Sequence, residues 1–317
     1  MRTLTSRAWW MSLCAAIGAC SDPVPNAPGA SDAAVTDTAT VKDVAPWRCE
    51  RSRAPAPVTV TRCNGSEALC ARRYTDVAYA TTHNAMSSAE DRFLGPNQTY
   101  GVPRQLRDGV RGLMLDVHPF EGDTWLCHGA CQLGRRRLAE GLCDIGRHLD
   151  QDPGAIITIL FESYAPAADV ARAFGEAGLI DDVHAQRAGA AWPTLGEMAA
   201  QNRRLVVFTD RDGGAMPWYH DVWRWAQETP FSALAPGDLD CRTNRGQSGN
   251  PLFILNHFLT NPIGSRALSE MVNHNPFLLD RARRCQRERV RLPNFVTVDF
   301  YDVGDVLATA DALNAEP

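Results

Sequence analysis

The run Ala155–Phe161 is apolar at successive positions as well as alternate ones, so a strand built from it must be covered on both faces. Comparable runs recur at Val77–Thr82, Val110–Val117, Thr124–His128, Leu205–Thr209, Leu252–His257 and Phe295–Phe300. Between several of them lie amphipathic stretches: Leu138–Leu149, Ala167–Ala177, Leu195–Asn202, Ser265–His274 and Pro276–Arg287. Alternation of this kind implies parallel strands under helices. Seven runs, with an eighth short enough to be overlooked, fit an α/β fold of the (β/α)8 TIM type better than an open sheet. The barrel is expected to be irregular, because Asp116 and Cys127 are joined almost directly. No glycine-rich phosphate loop favours an open doubly wound sheet, and no internal repeat is evident.

The 317 residues divide into three expected segments. Residues 1–20 read as an export signal, with Arg2 and Arg7 ahead of an apolar run, Ala8–Ala19, too short to span a bilayer. Ile17-Gly18-Ala19-Cys20 resembles the lipobox of bacterial lipoproteins, and Ser21 resembles the sorting residue of those sent to the outer membrane. The alternative is plain secretion. Residues 21–46 carry no aromatic side chain and are expected to act as a disordered tether, leaving 47–317 as one catalytic domain.

With 44% hydrophobic and 22% charged residues the chain is ordinary for a globular protein. A formal charge of −5 argues against a nucleic-acid partner, and Arg135-Arg136-Arg137 reads as a solvated patch. Setting aside Cys14 and Cys20, eight cysteines remain, an even count that suits disulfides in an exported chain. Cys63 with Cys70 and Cys241 with Cys285 are the expected pairs; sequence leaves the rest open. A zinc site at Cys127 and Cys131 is disfavoured, since no second cysteine pair with histidines at metal spacing accompanies them.

In barrels of this kind chemistry sits where the parallel strands end. The candidate strands end in His83-Asn84, Asp116 with His118, His128-Gly129, Glu162, Asp210, Asn256-His257 and Asp299. Each taken alone reads as well as a helix cap or a satisfied core group. Converging on one mouth, they are the parts of a metal-assisted acid–base reaction.

These residues also carry a family resemblance. Thr82-His83-Asn84, the segment Val110–Asp116, Leu126-Cys127-His128-Gly129, Ile159-Leu160-Phe161-Glu162 and Val296-Thr297-Val298-Asp299-Phe300 resemble, in order and spacing, the catalytic X region of phosphatidylinositol-specific phospholipases C. The resemblance runs from about Tyr74 and implies a phosphodiesterase acting through a cyclic phosphate. It implies that His83 is the general base, His128 the general acid and Asp299 the carboxylate that orients His83. Asn84, Asp116 and Glu162 match calcium ligands of the animal-type enzymes, so Ca2+, with Mg2+ as the alternative, is the expected cofactor. Met114 stands where those enzymes place a further glutamate, leaving the set one carboxylate short.

Arg111 is counted with the catalytic group, and His118 as a supporting residue, although packing explains both equally well. Phe258 is a candidate to stack on a sugar or to fill the core. Trp218, Trp223 and Trp225 are candidates to touch lipid or to cover the barrel. The expected partners are a phospholipid or related phosphodiester and, through the lipid anchor, a membrane surface, with the chain acting as a monomer. Two alternatives stand beside this reading: a glycerophosphodiesterase or sphingomyelinase D-like enzyme, and a surface binding module that has lost activity.

Overall fold

A computed structural model describes residues 47–52 and 59–316. The expected leader, the tether and the Cys20 lipidation site lie outside the described residues.

Ten strands form one sheet: β1 Tyr79–Thr82, β2 Gly112–Phe120, β3 Asp123–Leu126, β4 Arg136–Arg137, β5 Ile157–Ser163, β6 Leu205–Thr209, β7 Tyr219–Asp221, β8 Ala226–Glu228, β9 Leu252–Asn256 and β10 Phe295–Val298. Eight follow the order β7-β6-β5-β2-β1-β10-β9-β8, and every neighbouring pair is parallel. This is the expected barrel. Among the described residues no ladder joins β7 to β8, so the barrel carries an open seam.

Strand alternation divides the core in two. Tyr79, Leu160, Val206, Phe208, Leu252, Ile254 and Phe295 belong to the cluster inside the barrel. The intervening residues, such as Leu113, Leu115, Ile157, Ile159, Val207, Leu255 and Val296, pack outward beneath the helices. Helix Leu138–Gln151 supplies Leu138, Leu142, Ile145 and Leu149, one stripe spaced for 3.6 residues per turn and wholly buried. Each such side chain contributes about 1.5–3 kcal/mol by leaving water. Inside the barrel the space is tight: a Cβ on Gly112 would lie 2.2 Å from Thr81 Oγ1, so only glycine can open β2 there.

Four more expected helices are present as Ala167–Glu176, Leu195–Ala200, Arg266–Val272 and Phe277–Arg289. Thr194 and Glu197 form a reciprocal capping box on the second of these, and Ser265 accepts from Leu268 N at the start of the third. Helices Val102–Asp108 and Val306–Ala315 were not anticipated.

One strand assignment needs correction. Thr124–His128 does not enter the barrel, because β3 folds back antiparallel on β2 through a two-residue turn, Glu121-Gly122, with φ of 48° and 79°. Positive φ at both turn positions matches the right-handed twist of a hairpin, and glycine accepts it readily. The barrel's remaining strands, β7 and β8, are three residues each, too short to leave a period in the sequence.

Both expected disulfides, Cys63–Cys70 and Cys241–Cys285, are present, and the other two join Cys49 to Cys143 and Cys127 to Cys131. Four disulfides among the described residues suit an oxidising compartment and remove the zinc alternative for Cys127 and Cys131.

Candidate active site

The inward-facing row of each parallel strand, continued past its last hydrophobic residue, yields a polar one. Tyr79 and Thr81 lead to His83; Met114 to Asp116; Leu160 to Glu162; Phe208 to Asp210; Ile254 to Asn256; Phe295 and Thr297 to Asp299. Register then sets their height. Thr82 pairs with Val298 and Asp116 with Glu162, which makes His83 and Asp299 neighbours on one side and the two carboxylates neighbours on the other.

On the first side the polar atoms answer one another. His83 Nδ1 lies 2.8 Å from Asp299 Oδ1, and Asn97 Nδ2 donates to the same oxygen at 3.1 Å. Gln98 Nε2 donates to the carbonyls of His83 and Val298 at 2.7 and 3.2 Å, tying the two strand ends together. The His83 ring stacks on Phe258 with centroids 3.9 Å apart. Its side chain is 24% exposed, whereas Asp299 is 2% exposed, so the imidazole reaches the cleft and its carboxylate does not.

Asn84, at φ 46°, turns the chain away from the strand and donates from Nδ2 to Asn97 Oδ1 at 3.2 Å, with His128 Nε2 at the same distance. Asparagine tolerates that left-handed backbone better than most residues. The amide thereby links the two histidines' surroundings.

Burial works against a charged His83, but Asp299 first, then Asp116 and Glu162, outweigh it, and its pKa is raised. His128 is lowered, by burial and then by the nearby His83.

The second side is poor in positive charge. Burial, then Glu162 and Asp210, pushes Asp116 up to about 8, with His83 opposing. Tyr164 OH donates to Glu162 Oε1, and this bond, ahead of burial, takes the phenol up to about 12. The Tyr164 ring lies between His118, stacked at 4.5 Å, and the Arg211 guanidinium at 4.2 Å. Asp210 accepts from Ser163 N at 2.9 Å.

Between the two sides is a cleft of about 260 Å3. Its outer wall comes from residues that the sequence pattern does not mark. Glu228, 3% exposed, holds Arg245 and Asn256 by hydrogen bonds, and the Arg245 guanidinium sits 4.2 Å from Trp223 and 4.7 Å from Phe231. A sequence signal exists only for Asn256, since Glu228 ends a strand too short to recognise.

Arg111 is not part of this site. It precedes β2, five residues or roughly 16 Å along the strand from Asp116, and its odd position points it away from the inner row. Its guanidinium donates to the carbonyls of Leu106 and Val110 at 2.8 and 2.9 Å and to Asn64 Oδ1 at 3.1 Å, at the opposite end of the barrel. Arg111 is a structural clamp. His118 touches the site through Tyr164. Of the three tryptophans only Trp223 lines the cleft; Trp218 packs on Phe174 and Trp225 against Trp192.

A sequence model described as PI-PLC X 1 matches residues 69–314. The chain belongs to the PI-PLC X family. A PI-PLC X domain-containing protein of Arabidopsis thaliana is 31% identical over 296 residues, covering 84% of this chain and 66% of that protein. An uncharacterized secreted protein of Arthroderma benhamiae is 27% identical over 283 residues, covering 81% and 64%. The chain thus spans slightly less than two thirds of these two relatives. A phosphatidylinositol-specific phospholipase C of Staphylococcus aureus shares the fold, with a TM-score of 0.53 at 12% identity over 78% of this chain and 95% of that one. This member of the family therefore has a phospholipase-C-like phosphodiesterase fold, and a secreted relative and four disulfides accord with export.

The donor chemistry of Asn84, Asp116 and Glu162 suits a hard, oxygen-preferring cation, because Asp116 is crowded by Glu162 and Asp210 while Arg211 pairs with Asp210. The set is sparse. Among the described residues no group of three or more His, Cys, Asp or Glu is assembled for a metal, so water or substrate oxygen would complete the coordination.

Proposed function

We propose that the protein is a phospholipase-C-type phosphodiesterase acting on a phospholipid or related phosphodiester with a neighbouring hydroxyl. The observation that carries the reading is the His83 Nδ1–Asp299 Oδ1 contact of 2.8 Å with His128 across Asn84. Asp299 holds the proton on Nδ1, which leaves Nε2 as the basic atom facing the cleft. His83 Nε2 accepts the proton of the hydroxyl that attacks phosphorus. The new P–O bond closes a cyclic phosphate as the bond to the leaving alcohol breaks, and His128 gives its proton to that leaving oxygen.

In the free protein the two rings are biased the other way, with His83 raised and His128 lowered. A phosphodiester anion between them favours a charged His128. A cation held by Asn84, Asp116 and Glu162 would neutralise the phosphate and offset the carboxylates that raise His83. Anchoring through a lipidated Cys20 and action as a monomer belong to the same proposal; a Cys20→Ala chain released from the membrane fraction would support the first.

The test is a panel of phosphodiesters turned over with and without chelator, read by 31P NMR. A cyclic phosphate that appears with wild type and not with His83→Ala supports the reading. Release of choline or glycerol phosphate with no cyclic product would replace it with the glycerophosphodiesterase or sphingomyelinase D-like alternative. Turnover unchanged in both His83→Ala and His128→Ala would end the assigned roles.

A further inference from the structure

His128 occupies an unusual setting for a residue that must be held to within a fraction of an ångström. It lies on an exposed three-residue bridge, His128-Gly129-Ala130, beyond the end of β3. Its ring has one side-chain hydrogen-bonding partner in the structure, Asn84 Nδ2 at 3.2 Å. Gly129 sits at φ 69° with open space where a Cβ would be, so nothing packs against the bridge at its middle residue. His83 differs in every respect: it follows a barrel strand, stacks on Phe258 and is bonded to Asp299.

The bridge is instead braced covalently. Cys127 and Cys131 flank it, both buried at 0% and 5% exposure, and are joined by a disulfide of sequence separation 4. Cys127 N donates to the Asp116 carbonyl at 3.3 Å, and the far side is held through Leu94 N to the Leu133 carbonyl at 2.8 Å. The disulfide therefore closes a small ring standing on two anchored feet, with His128 at its crest. Chain closure of this kind removes conformers that backbone hydrogen bonds alone would permit.

We propose that the Cys127–Cys131 disulfide is a positioning device for His128, fixing the imidazole where it delivers its proton to the leaving oxygen. The inference rests on the assignment of His128 as the general acid. Its signature is dependence on the leaving group. An alkoxide needs the proton as the P–O bond breaks, whereas a 4-nitrophenolate leaves without it. Loss of a positioned acid therefore slows only the first.

The experiment compares the n-butyl and 4-nitrophenyl diesters of myo-inositol 1-phosphate as substrates for wild type, His128→Ala, Cys127→Ala/Cys131→Ala and Cys63→Ala/Cys70→Ala. The last pair removes a disulfide of similar span, sequence separation 7, beside Asn64 at the opposite end of the barrel. His128→Ala is expected to lower kcat on the butyl diester by about 10²–10⁴ and on the nitrophenyl diester far less. Cys127→Ala/Cys131→Ala should lose at least about tenfold on the butyl diester and under about threefold on the nitrophenyl diester, with KM little changed. Cys63→Ala/Cys70→Ala should lower the Tm and move the two substrates equally.

If the mouth disulfide variant does not fold, Gly129→Val serves in its place: the disulfide is intact, but a β-branched residue resists the left-handed backbone and displaces His128. A leaving-group effect in His128→Ala with none in the disulfide or Gly129 variants would overturn the inference. Absence of the effect in His128→Ala, or a wild type inactive on both diesters, would overturn the functional assignment and the inference with it.

Discussion

The two sides of the cleft solve the problem of polar groups at a barrel mouth in opposite ways. Around His83 most donors and acceptors are matched: Asp299 Oδ1 receives His83 and Asn97, Gln98 bridges two strand ends, and Asp299 Oδ2 is the one carboxylate oxygen left without a hydrogen bond. Around Asp116, three carboxylates converge with a phenol, and the two arginines of the cleft, Arg211 and Arg245, pair with Asp210 and Glu228. A matched network is rigid before substrate arrives, which is what acid–base transfer needs. An unmatched one stores an appetite for positive charge, which is what a cation site needs.

The largest break expected in this contrast is on the matched side. His83→Ala should lower kcat by about 10²–10⁴, measured as cyclic phosphate formation, without a comparable loss of Tm. Gly264→Ala tests the same side from outside the catalytic set. A Cβ there would lie 2.3 Å from Asp299 Oδ2 and 2.9 Å from Asn97 Nδ2, forcing the carboxylate to move. We expect a loss of about 1–3 kcal/mol in denaturant unfolding, as for overpacking elsewhere, together with a fall in kcat of at least about tenfold.

The unmatched side should respond to cations. Calcium at a hundredfold excess over its Kd is expected to raise the wild-type Tm by roughly 5–10 °C, read by scanning calorimetry. Asp116→Asn/Glu162→Gln should abolish that shift while keeping the fold. Equal shifts in both proteins would remove the cation from the contrast.

A smaller effect comes from a matched pair behind β9 that has no carboxylate at all. His257 accepts from Arg281 Nη1 at 3.1 Å and donates to the Val272 carbonyl at 2.9 Å. Burial and then Arg281 push it down to about 3. Because the folded value lies below the unfolded one, the unfolded chain binds more protons between about pH 6.5 and 3, and stability falls as pH drops through that window. His257→Gln can keep both hydrogen bonds and cannot titrate. It should therefore lessen the acid slope of stability by up to about 1.4 kcal/mol per pH unit.

How much of this was legible in the sequence follows from what each residue depends on. Strands β5, β6, β9 and β10 announce themselves through continuous apolar runs, and the residues ending them follow from the period of two. Glu162 and Asp299 are therefore legible, and His83 and Asp116 follow in the same way from the runs that contain β1 and β2. Arg111 departs from expectation because the sequence near a strand does not say which end opens on the cleft, although its parity relative to β2 points it away from the inner row. The Glu228–Arg245 wall and the Gly264 contact leave no mark in the sequence for another reason. Their strands are three residues long or their contacts join loops far apart in the chain, and no local period encodes either.

The seam between β7 and β8 has a mechanical meaning. A fully laddered barrel has a fixed circumference, since widening it requires breaking hydrogen bonds between strands. Here the ring is cut, and the cut lies beside the wall that carries Trp223, Glu228 and Arg245. One helical turn, Val222–Trp225, spans the cut, so widening there would break no strand ladder, while the ladder β5-β2-β1-β10 that carries Glu162, Asp116, His83 and Asp299 keeps its register.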